Sequence, residues 1–376
     1  MKRLRVGVNL LWLVPGVVGG SEEYTVRLLA ALRDLDADDL DVTLFVTRSF
    51  LDVYHDLAAR FTTVVCPISG RSRSLRIAAE STWLLVQARR RRIQLLHHGG
   101  GTIPPIRATP SIVTVHDLQP LLFPEHFSRV KHAYLRWRLR PSVRKSKAVV
   151  TLTAYTAATI KDAFGVPVEL VPPGYTAALD AQPTRDPRDA YELTGPFFVY
   201  PAITYPHKNH AMLVRAFAGV VATHPDTLLV LTHRAAQMED ELRALIDSLA
   251  LGANVRRLGH VDRGDLNWFY ANAVALTFPS RFEGFGMPVL EAMGHRCAVI
   301  AARSAALPSV VGDAGLLVDP DDQEAWTAAM VELLDDPSHR EQLARAGAER
   351  VKHEFQWQAS AERLHRLYVR LGATLS

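Results

Sequence analysis

The sequence predicts an α/β protein with two doubly wound, parallel-sheet, Rossmann-like domains that face a central cleft. With 376 residues, the chain is too long for one ordinary domain and long enough for two. Short apolar runs alternate with longer helical patterns in both halves, as expected for parallel strands joined by helices. A proline-rich stretch interrupts this alternation near the middle. In such sheets ligands bind beyond the carboxyl ends of the strands, so the loops at those ends are the candidates for function.

The first half contains five apolar runs of strand length and two amphipathic runs of helix length. Strands are predicted at 5–10, 42–46, 95–97, 112–115 and 148–152, and helices at 21–33 and 74–91. The alternation then stops at Val171-Pro172-Pro173-Gly174-Tyr175. These elements predict a first domain over residues 1–175.

The second half repeats the same alternation after further prolines at Pro183, Pro187 and Pro196. Strands are predicted at 197–200, 227–232, 255–257, 275–278 and 298–301, and helices at 209–223, 238–249, 263–271 and 288–294, with two more beginning at Gln323 and His339. They predict a second domain over residues 190–356. The last helix, 357–376, is expected to pack back on the first domain.

Composition places the protein in a reducing compartment. Apolar residues make up 48% and charged residues 22% of the chain, which is typical of a globular protein. Cys66 and Cys297 form neither a disulfide framework nor a metal-finger spacing. The apolar stretch 6–20 contains Asn9 and Pro15 and lacks a cleavage site, so it predicts a strand and loop rather than a signal peptide. We expect a cytoplasmic protein, because no run approaches the ~18 apolar residues of a membrane-spanning helix.

The charge is distributed unevenly along the chain. Residues 51–150 hold 17 Lys and Arg against 5 Asp and Glu, whereas residues 176–376 hold 19 against 25. Basic runs occur at 89–92 and at 129–147, and the second run includes Tyr134 and Trp137. One interpretation is a set of solvated helix faces; the other is attraction to an anionic membrane surface or a phosphate-bearing acceptor. No nucleic-acid-binding motif accompanies the charge, so we expect no nucleic-acid partner.

The strongest motif lies at 280–291, directly after the predicted strand 275–278. Pro288 suits the first position of a helix, because its missing N–H group is not needed there. Gly284 and Gly286 allow a tight turn and a close approach to a ligand. Backbone N–H groups at a helix start favour a negative or hydroxyl-rich ligand. The groups expected to point into the cleft belong to Phe285, Gly286 and Met287.

Two carboxylates accompany this loop. Glu283 lies within it and Glu291 one turn into the following helix, so both are expected to face the cleft. Carboxylates in pairs bind vicinal hydroxyls, as found on a hexose or a ribose. The alternative makes Glu283 a partner of the helix dipole and Glu291 a surface residue.

Other strand ends supply further candidates. Gly19 and Gly20 precede a helix that Ser21 is predicted to cap, and such a loop suits a diphosphate. His116, followed by Asp117, ends a predicted strand, and the pair His97-His98 ends another. Lys208 precedes a helix and can neutralise a leaving phosphate. His260 and Val261 follow the predicted strand 255–257.

These motifs together resemble the large retaining glycosyltransferase family 4, whose members have the GT-B fold. The resemblance implies that Glu283 contacts the transferred sugar and Glu291 the nucleotide ribose. It implies a diphosphate contact for the loop at Gly19 and Gly20, and a sugar-hydroxyl contact for His116. Lys208 matches the residue that neutralises the leaving diphosphate, and the loop of His260 and Val261 matches the one that contacts nucleobase and ribose.

The chain departs from the family at one place. An Arg commonly stands a few residues before the position of Lys208, and here the segment 202–204 holds none. His207 or Arg281 could compensate, or Lys208 acts with backbone N–H groups alone. The family resemblance also implies that the first domain lies on the acceptor side and that the second binds the nucleotide sugar.

The resulting prediction is a retaining hexosyltransferase that uses a nucleotide diphosphate sugar, with GDP-mannose favoured over a UDP-hexose because the motifs resemble polysaccharide-building members. The expected acceptor is lipid-linked or a saccharide, in surface polysaccharide or glycolipid synthesis. If the basic runs bind an anionic membrane, the protein lies on its inner face. No cofactor and no metal are expected, because the acidic run 34–41 falls at the amino-terminal edge of the strands. An epimerase or phosphorylase of the same fold, or a non-catalytic nucleotide-sugar-binding protein, remains the alternative.

Overall fold

The computed structural model describes residues 3–17, 19–107, 109–123, 129–176, 182–232 and 236–375, and the structural statements below concern these residues. The chain divides into two compact units. One consists of Met1–Gly174 with Gln356–Ser376, and the other is Tyr175–Phe355. Each unit holds one parallel sheet with helices between its strands.

The sheet of the first unit is parallel throughout. Its strands are β1 (Leu4–Asn9), β2 (Leu40–Val46), β3 (Thr62–Val65), β4 (Leu95–His98), β5 (Ser111–Thr114), β6 (Ala148–Thr151) and β7 (Val168–Leu170). In the described residues they form one seven-stranded sheet in the order β3-β2-β1-β4-β5-β6-β7. The central strands β4 and β5 are buried along their whole length, because helices cover both faces of such sheets.

The helices of this unit are α1 (Gly20–Asp34), α2 (Arg48–Val53), α3 (His55–Ala59), α4 (Arg73–Ser81), α5 (Trp83–Arg90), α6 (Gln119–Leu122), α7 (Arg129–Lys145) and α8 (Ala154–Phe164). The single helix predicted over 74–91 is therefore two helices, since Thr82 leaves helical geometry at φ −129° and ψ −73°. Ser21 does not cap α1 as predicted. The helix begins one residue earlier, and Gly19 occupies the capping position with a positive φ of 64°.

The second unit is built in the same way. Its strands are β8 (Phe197–Pro201), β9 (Leu228–Thr232), β10 (Val255–Gly259), β11 (Ala275–Phe278), β12 (Val299–Ala302) and β13 (Leu316–Val318), and its helices are α9 (Pro187–Ala190), α10 (His210–Thr223), α11 (Glu239–Ser248), α12 (Arg263–Asn272), α13 (Met287–Gly294), α14 (Leu307–Val311), α15 (Gln323–Asp335) and α16 (Pro337–Glu354). In the described range the six strands are parallel, in the order β10-β9-β8-β11-β12-β13.

The last helix, α17 (Trp357–Ala373), packs on α1 and β1 of the first unit. The hydroxyl of its Tyr368 lies 2.6 Å from Nδ1 of His97 on β4. A Cβ atom on Gly372 would lie 2.7 Å from a methyl group of Leu4, so α17 packs closely on β1 at this point. Within the described residues no helix combines the length and the apolar character needed to cross a membrane.

Candidate active site

Lys208 and Glu283 form an ion pair in the second unit. Lys208 ends a short 3₁₀ turn after β8, and Glu283 lies in the loop after β11. The two strands are neighbours in the sheet, so their carboxyl ends lie side by side. Nζ of Lys208 is 2.5 Å from Oε1 of Glu283, and the two side chains are only 18% and 14% exposed. The topology therefore joins two residues that are 75 positions apart in sequence.

The backbone around this pair is held by further hydrogen bonds. The hydroxyl of Tyr200 donates to the carbonyl oxygen of Lys208 at 2.6 Å. The N–H group of Arg281 donates to the carbonyl oxygen of His207 at 2.8 Å, which ties the two loops together. Nζ of Lys208 also lies 5.7 Å from the ring centre of Phe278. The ammonium group is thus fixed at the carboxyl edge of the sheet, where a negative ligand would meet it.

Glu291 is buried, contrary to the alternative that made it a surface residue. Nη1 of Arg263 lies 2.8 Å from its Oε1, and the hydroxyl of Tyr270 donates to its Oε2 at 3.1 Å. Burial, and next the nearby charge of Glu291, raise the pKa of Tyr270, so its hydroxyl remains a donor. Two donors from α12 therefore fix the orientation of the Glu291 carboxylate.

His260 and Val261 lie between β10 and α12, the helix whose Arg263 binds Glu291. β10 ends at Gly259 with a positive φ of 69°, and α12 begins at Arg263. Because Arg263 binds Glu291, the chain immediately before α12 is brought beside α13. The sequence placed these residues in separate motifs, and the sheet topology joins them.

The loop before α13 makes its turn at Gly286, one of the two glycines predicted to allow it. Gly286 caps the helix with φ 101°, and a Cβ atom there would lie 2.7 Å from Leu307. The helix begins at Met287, so Pro288 is its second residue rather than its first. The ring of Phe285 is buried and meets Phe355 at 5.9 Å between ring centres. The first N–H groups of a helix have no partner within it, which makes this helix start suitable for an anion.

Arg281 and His207 differ in their surroundings. The guanidinium of Arg281 binds Asp321, with Nε and Nη2 2.9 Å and 2.5 Å from Oδ1. The ring of His207 stacks on Tyr205 at 5.9 Å. The charge of Arg281 is therefore paired with Asp321, whereas the cation beside Glu283 is Lys208.

In the first unit, His116 follows β5 and lines a pocket of about 600 Å³. Its Nε2 lies 3.0 Å from the carbonyl oxygen of Gly99, and its ring is perpendicular to that of Tyr24. Burial lowers the pKa of His116 to about 4, although the bond to Gly99 opposes the shift. The ring is therefore neutral near pH 7. Since a carbonyl oxygen only accepts, the proton is assigned to Nε2, and Nδ1 becomes a hydrogen-bond acceptor.

The loop that contains Gly19 and Gly20 is held in place by a residue that the sequence analysis missed. The carboxylate of Glu22 is buried and accepts from the N–H group of Gly16 at 3.1 Å and 2.9 Å, and from the hydroxyl of Tyr54 at 2.6 Å. A Cβ atom on Gly19 would meet nothing within 4 Å, so the space beside the loop is open. Val18 of the same loop lies outside the described residues.

His97 and His98, the pair that ends β4, are both buried. His97 is buried between Tyr368 and Thr114, with Nε2 2.7 Å from the Thr114 hydroxyl. Nδ1 of His98 lies 3.2 Å from Nδ2 of Asn9. Burial lowers the pKa of both histidines to about 3. Neither is among the residues described as lining the pocket, because both lie within β4, which helices cover.

The pocket also contains a buried carboxyl group, Glu80 on α4, which no sequence motif indicated. Burial raises the pKa of Glu80 to about 7, while Asn9 and Arg76 oppose the shift. In the part of the chain that the structure describes, no group of three or more His, Cys, Asp and Glu residues is arranged to hold a metal ion.

Two family profiles match the chain in succession. Residues 18–178 match the profile described as "Glycosyltransferase Family 4", and residues 185–350 match "Glycosyl transferases group 1". The chain belongs to glycosyltransferase family 4.

Curated relatives of this glycosyltransferase include three named for mannosyl transfer. O-antigen chain mannosyltransferase B of Escherichia coli is 29% identical, with 70% of this chain and 71% of the relative covered. O-antigen chain mannosyltransferase RfbU of Salmonella typhimurium is 26% identical, with 85% and 89% covered. A GDP-mannose-dependent phosphatidylinositol monomannoside mannosyltransferase of Corynebacterium glutamicum is 28% identical, with 61% and 65% covered.

Solved structures show that the glycosyltransferase has the GT-B fold. Sucrose-phosphate synthase from Thermosynechococcus elongatus superposes with a TM-score of 0.78 at 21% identity, covering 99% of this chain and all of that one. HepE from Anabaena, solved with UDP and glucose, gives a TM-score of 0.76 at 17% identity, covering 98% and 100%. The predicted fold class, two Rossmann-like parallel-sheet domains, is confirmed.

Proposed function

We propose that this glycosyltransferase is a retaining hexosyltransferase that transfers mannose from GDP-mannose to a lipid-linked or saccharide acceptor. The observation that carries the donor side is the ion pair of Lys208 and Glu283 at the carboxyl edge of the second sheet. The names of the three mannosyltransferase relatives support mannose, and one of them names GDP-mannose. The reaction serves surface polysaccharide or glycolipid synthesis.

The second domain, residues 190–356, binds the nucleotide sugar in this proposal. Breaking the bond between the anomeric carbon and the diphosphate builds negative charge on the leaving oxygen. Lys208 has three donors, so it can hold Glu283 and a phosphate oxygen together. The N–H groups of Phe285, Gly286 and Met287 add fixed positive dipoles. Glu283 contacts the transferred sugar, and Glu291, with the chain at His260 and Val261, contacts the nucleoside.

The first domain, residues 1–175 with the last helix, supplies the acceptor side. Neutral His116 accepts a hydrogen bond from a sugar hydroxyl at Nδ1, and the loop at Gly19 and Gly20 contacts the diphosphate. The leaving phosphate takes the proton of the attacking acceptor hydroxyl on the face from which the nucleotide departs. The new glycosidic bond then keeps the anomeric configuration, and no base from the protein is needed.

A donor screen by thermal unfolding tests this assignment. GDP-mannose is expected to raise the unfolding temperature more than GDP-glucose, UDP-glucose or UDP-galactose at equal concentration. A ligand at 100 times its Kd stabilises the folded state by about 2.7 kcal/mol, which a scan resolves readily. A larger shift with a UDP-hexose would overturn the choice of donor. Inverted product, read from the anomeric signal by NMR, would overturn retention.

We also propose that the exposed basic surface of the first domain attaches the enzyme to the inner face of an anionic membrane. Arg136, Trp137 and Arg140 are exposed on α7, and Trp137 is 62% exposed. Arg138 does not belong to this surface, because it is buried and its Nη2 donates to the carbonyl oxygen of Ile103. Cationic side chains beside an aromatic ring suit a headgroup layer.

Vesicle sedimentation tests the membrane proposal. R136E/R140E is expected to lose binding to vesicles of phosphatidylglycerol and phosphatidylcholine, because each cation near such a surface contributes about 1 kcal/mol. The control R215E/R243E makes the same charge change at exposed positions of the second unit. If both variants bind like the unmodified protein, or if phosphatidylcholine alone binds equally well, the basic surface does not attach the enzyme.

A further inference from the structure

One face of α4 presents charged side chains to the pocket in the first unit, and the donor chemistry uses none of them. Arg73, Arg76, Ile77 and Glu80 stand at positions i, i+3, i+4 and i+7, so they share one helix face. All four line the pocket. We name this set the α4 face. Opposite it, the pocket is lined by residues after β4 and β5 and by Tyr134 of α7.

The carboxyl group of the α4 face is buried and held in place. Oε1 of Glu80 accepts from Nδ2 of Asn9 at 3.2 Å. Asn9 is itself fixed, because its Oδ1 accepts from the N–H group of Leu11 at 3.1 Å. Burying a carboxyl group costs free energy unless hydrogen bonds compensate for the lost water. Here the buried carboxyl group lies in the wall of an open pocket.

Two residues that line the pocket have buried N–H donors with no hydrogen-bond acceptor in the described part of the chain. Nη1 of Arg76 donates to the carbonyl oxygen of Trp12 at 2.6 Å, but its buried Nε has no hydrogen-bond partner there. The buried indole Nε1 of Trp12 has none either. Buried donors normally have an acceptor, and both side chains line the pocket, so a ligand with acceptor oxygens suits this part of it. Arg73 adds an exposed guanidinium 5.6 Å from the ring centre of Tyr134.

We propose that this pocket is an acceptor subsite for a pyranose that carries an anionic substituent. Glu80 binds the ring hydroxyls, and Arg73 and Arg76 bind the anion. Arg73 and Glu80 are seven residues apart, about 10 Å along the helix axis, which leaves room for a ring and one charged group. A phosphate and a uronate share the chemistry that a guanidinium recognises. This inference rests on the proposed transferase function, because it concerns the acceptor of that reaction.

The test measures binding to the full chain while GDP saturates the donor site. The probes are methyl α-D-mannopyranoside, α-D-mannose 1-phosphate, methyl β-D-glucuronide and inorganic phosphate, followed by calorimetry or ligand-observed NMR. At least one charged pyranose is expected to bind about tenfold tighter than methyl mannoside, the gain of one charge-assisted hydrogen bond. Preference for the 1-phosphate identifies the anion as a phosphate, and preference for the glucuronide identifies it as a uronate.

Three variants locate the binding. R73Q is expected to remove the advantage of the charged pyranose, and E80Q to weaken every pyranose without changing the binding of inorganic phosphate. The control R71Q removes an exposed cation two residues away that does not line the pocket, and it is expected to behave as the unmodified protein. Arg73 is exposed, so R73Q is expected to fold normally and still tests the subsite if E80Q does not fold.

Two results would separate this inference from the proposed function. If GDP binds but no pyranose does, or if R73Q and R71Q bind all probes alike, the acceptor subsite is overturned and the transferase proposal stands. If no nucleotide or nucleotide sugar stabilises the unmodified protein, the proposed donor chemistry fails before the subsite is tested.

Discussion

Replacing Glu283 with alanine is expected to lower kcat by at least about 10³-fold while nucleotide binding changes little. The carboxylate lies in the loop after β11, 2.5 Å from Nζ of Lys208. A negative charge placed there stabilises the positive, oxocarbenium-like sugar of the transition state, and groups that act only in the transition state affect kcat most. The measurement is the initial rate of nucleotide release with donor and acceptor, together with the Kd for GDP by calorimetry.

The matched control is D321N, which removes a more exposed carboxylate that binds Arg281. It is expected to retain nearly normal kcat, because an exposed ion pair contributes about 0–1 kcal/mol to stability and Asp321 is assigned no contact with the substrate. Near-normal turnover by E283A would rule out the role of Glu283. An equal loss in D321N would show that the whole loop, rather than the carboxylate, is needed.

Replacing Lys208 with methionine is expected to lower kcat by about 10²- to 10³-fold and to weaken the binding of GDP. Methionine keeps an unbranched side chain, one atom shorter, but removes the charge that faces the leaving diphosphate. Loss of one such stabilising group has this magnitude. Single-turnover rates and the Kd for GDP report the two effects separately. A variant with normal GDP affinity and normal rate would exclude Lys208 from the phosphate site.

The variant R281M tests whether Arg281 replaces the arginine that family members commonly have a few residues before the position of Lys208. The guanidinium of Arg281 is bound to Asp321, so a much smaller loss than in K208M is expected. Equal losses would show that Arg281 leaves Asp321 and shares the phosphate. The double variant K208M/E283A is expected to lose no more than the more damaging single change, because residues in direct contact act as a unit.

The sequence could predict most of the strands, because apolar runs and their bounding loops are local features. The strands it missed, β3, β7 and β13, are three or four residues long and lie at the edges of their sheets. They are also only partly buried, unlike the equally short β4 and β5, so a buried apolar run does not mark them in the sequence. The break between α4 and α5 at Thr82 was missed because the residues on both sides have helical character and only the backbone geometry of one residue separates them.

The sequence recognised the candidate site through patterns that lie close together along the chain, such as Glu283 with Glu291. It could not show which residues meet from distant parts of the chain. Glu22 binds the N–H group of Gly16 in the glycine loop, and Arg263 binds Glu291. No motif in the sequence predicts either contact. Glu80 is the clearest case, because an acidic residue within a helix is usually on the surface.

The sequence by itself determined the fold class, the order of the strands along the chain and the family, because periodicity and local motifs are encoded by neighbouring residues. Only the tertiary structure decided which strand ends are neighbours. It therefore decided that Lys208 faces Glu283, that His97 is buried against Tyr368, and that the α4 face lines a pocket. Strand order within a sheet follows from the packing of the whole domain, and the burial that fixes pKa values and leaves donors without partners follows from the same packing.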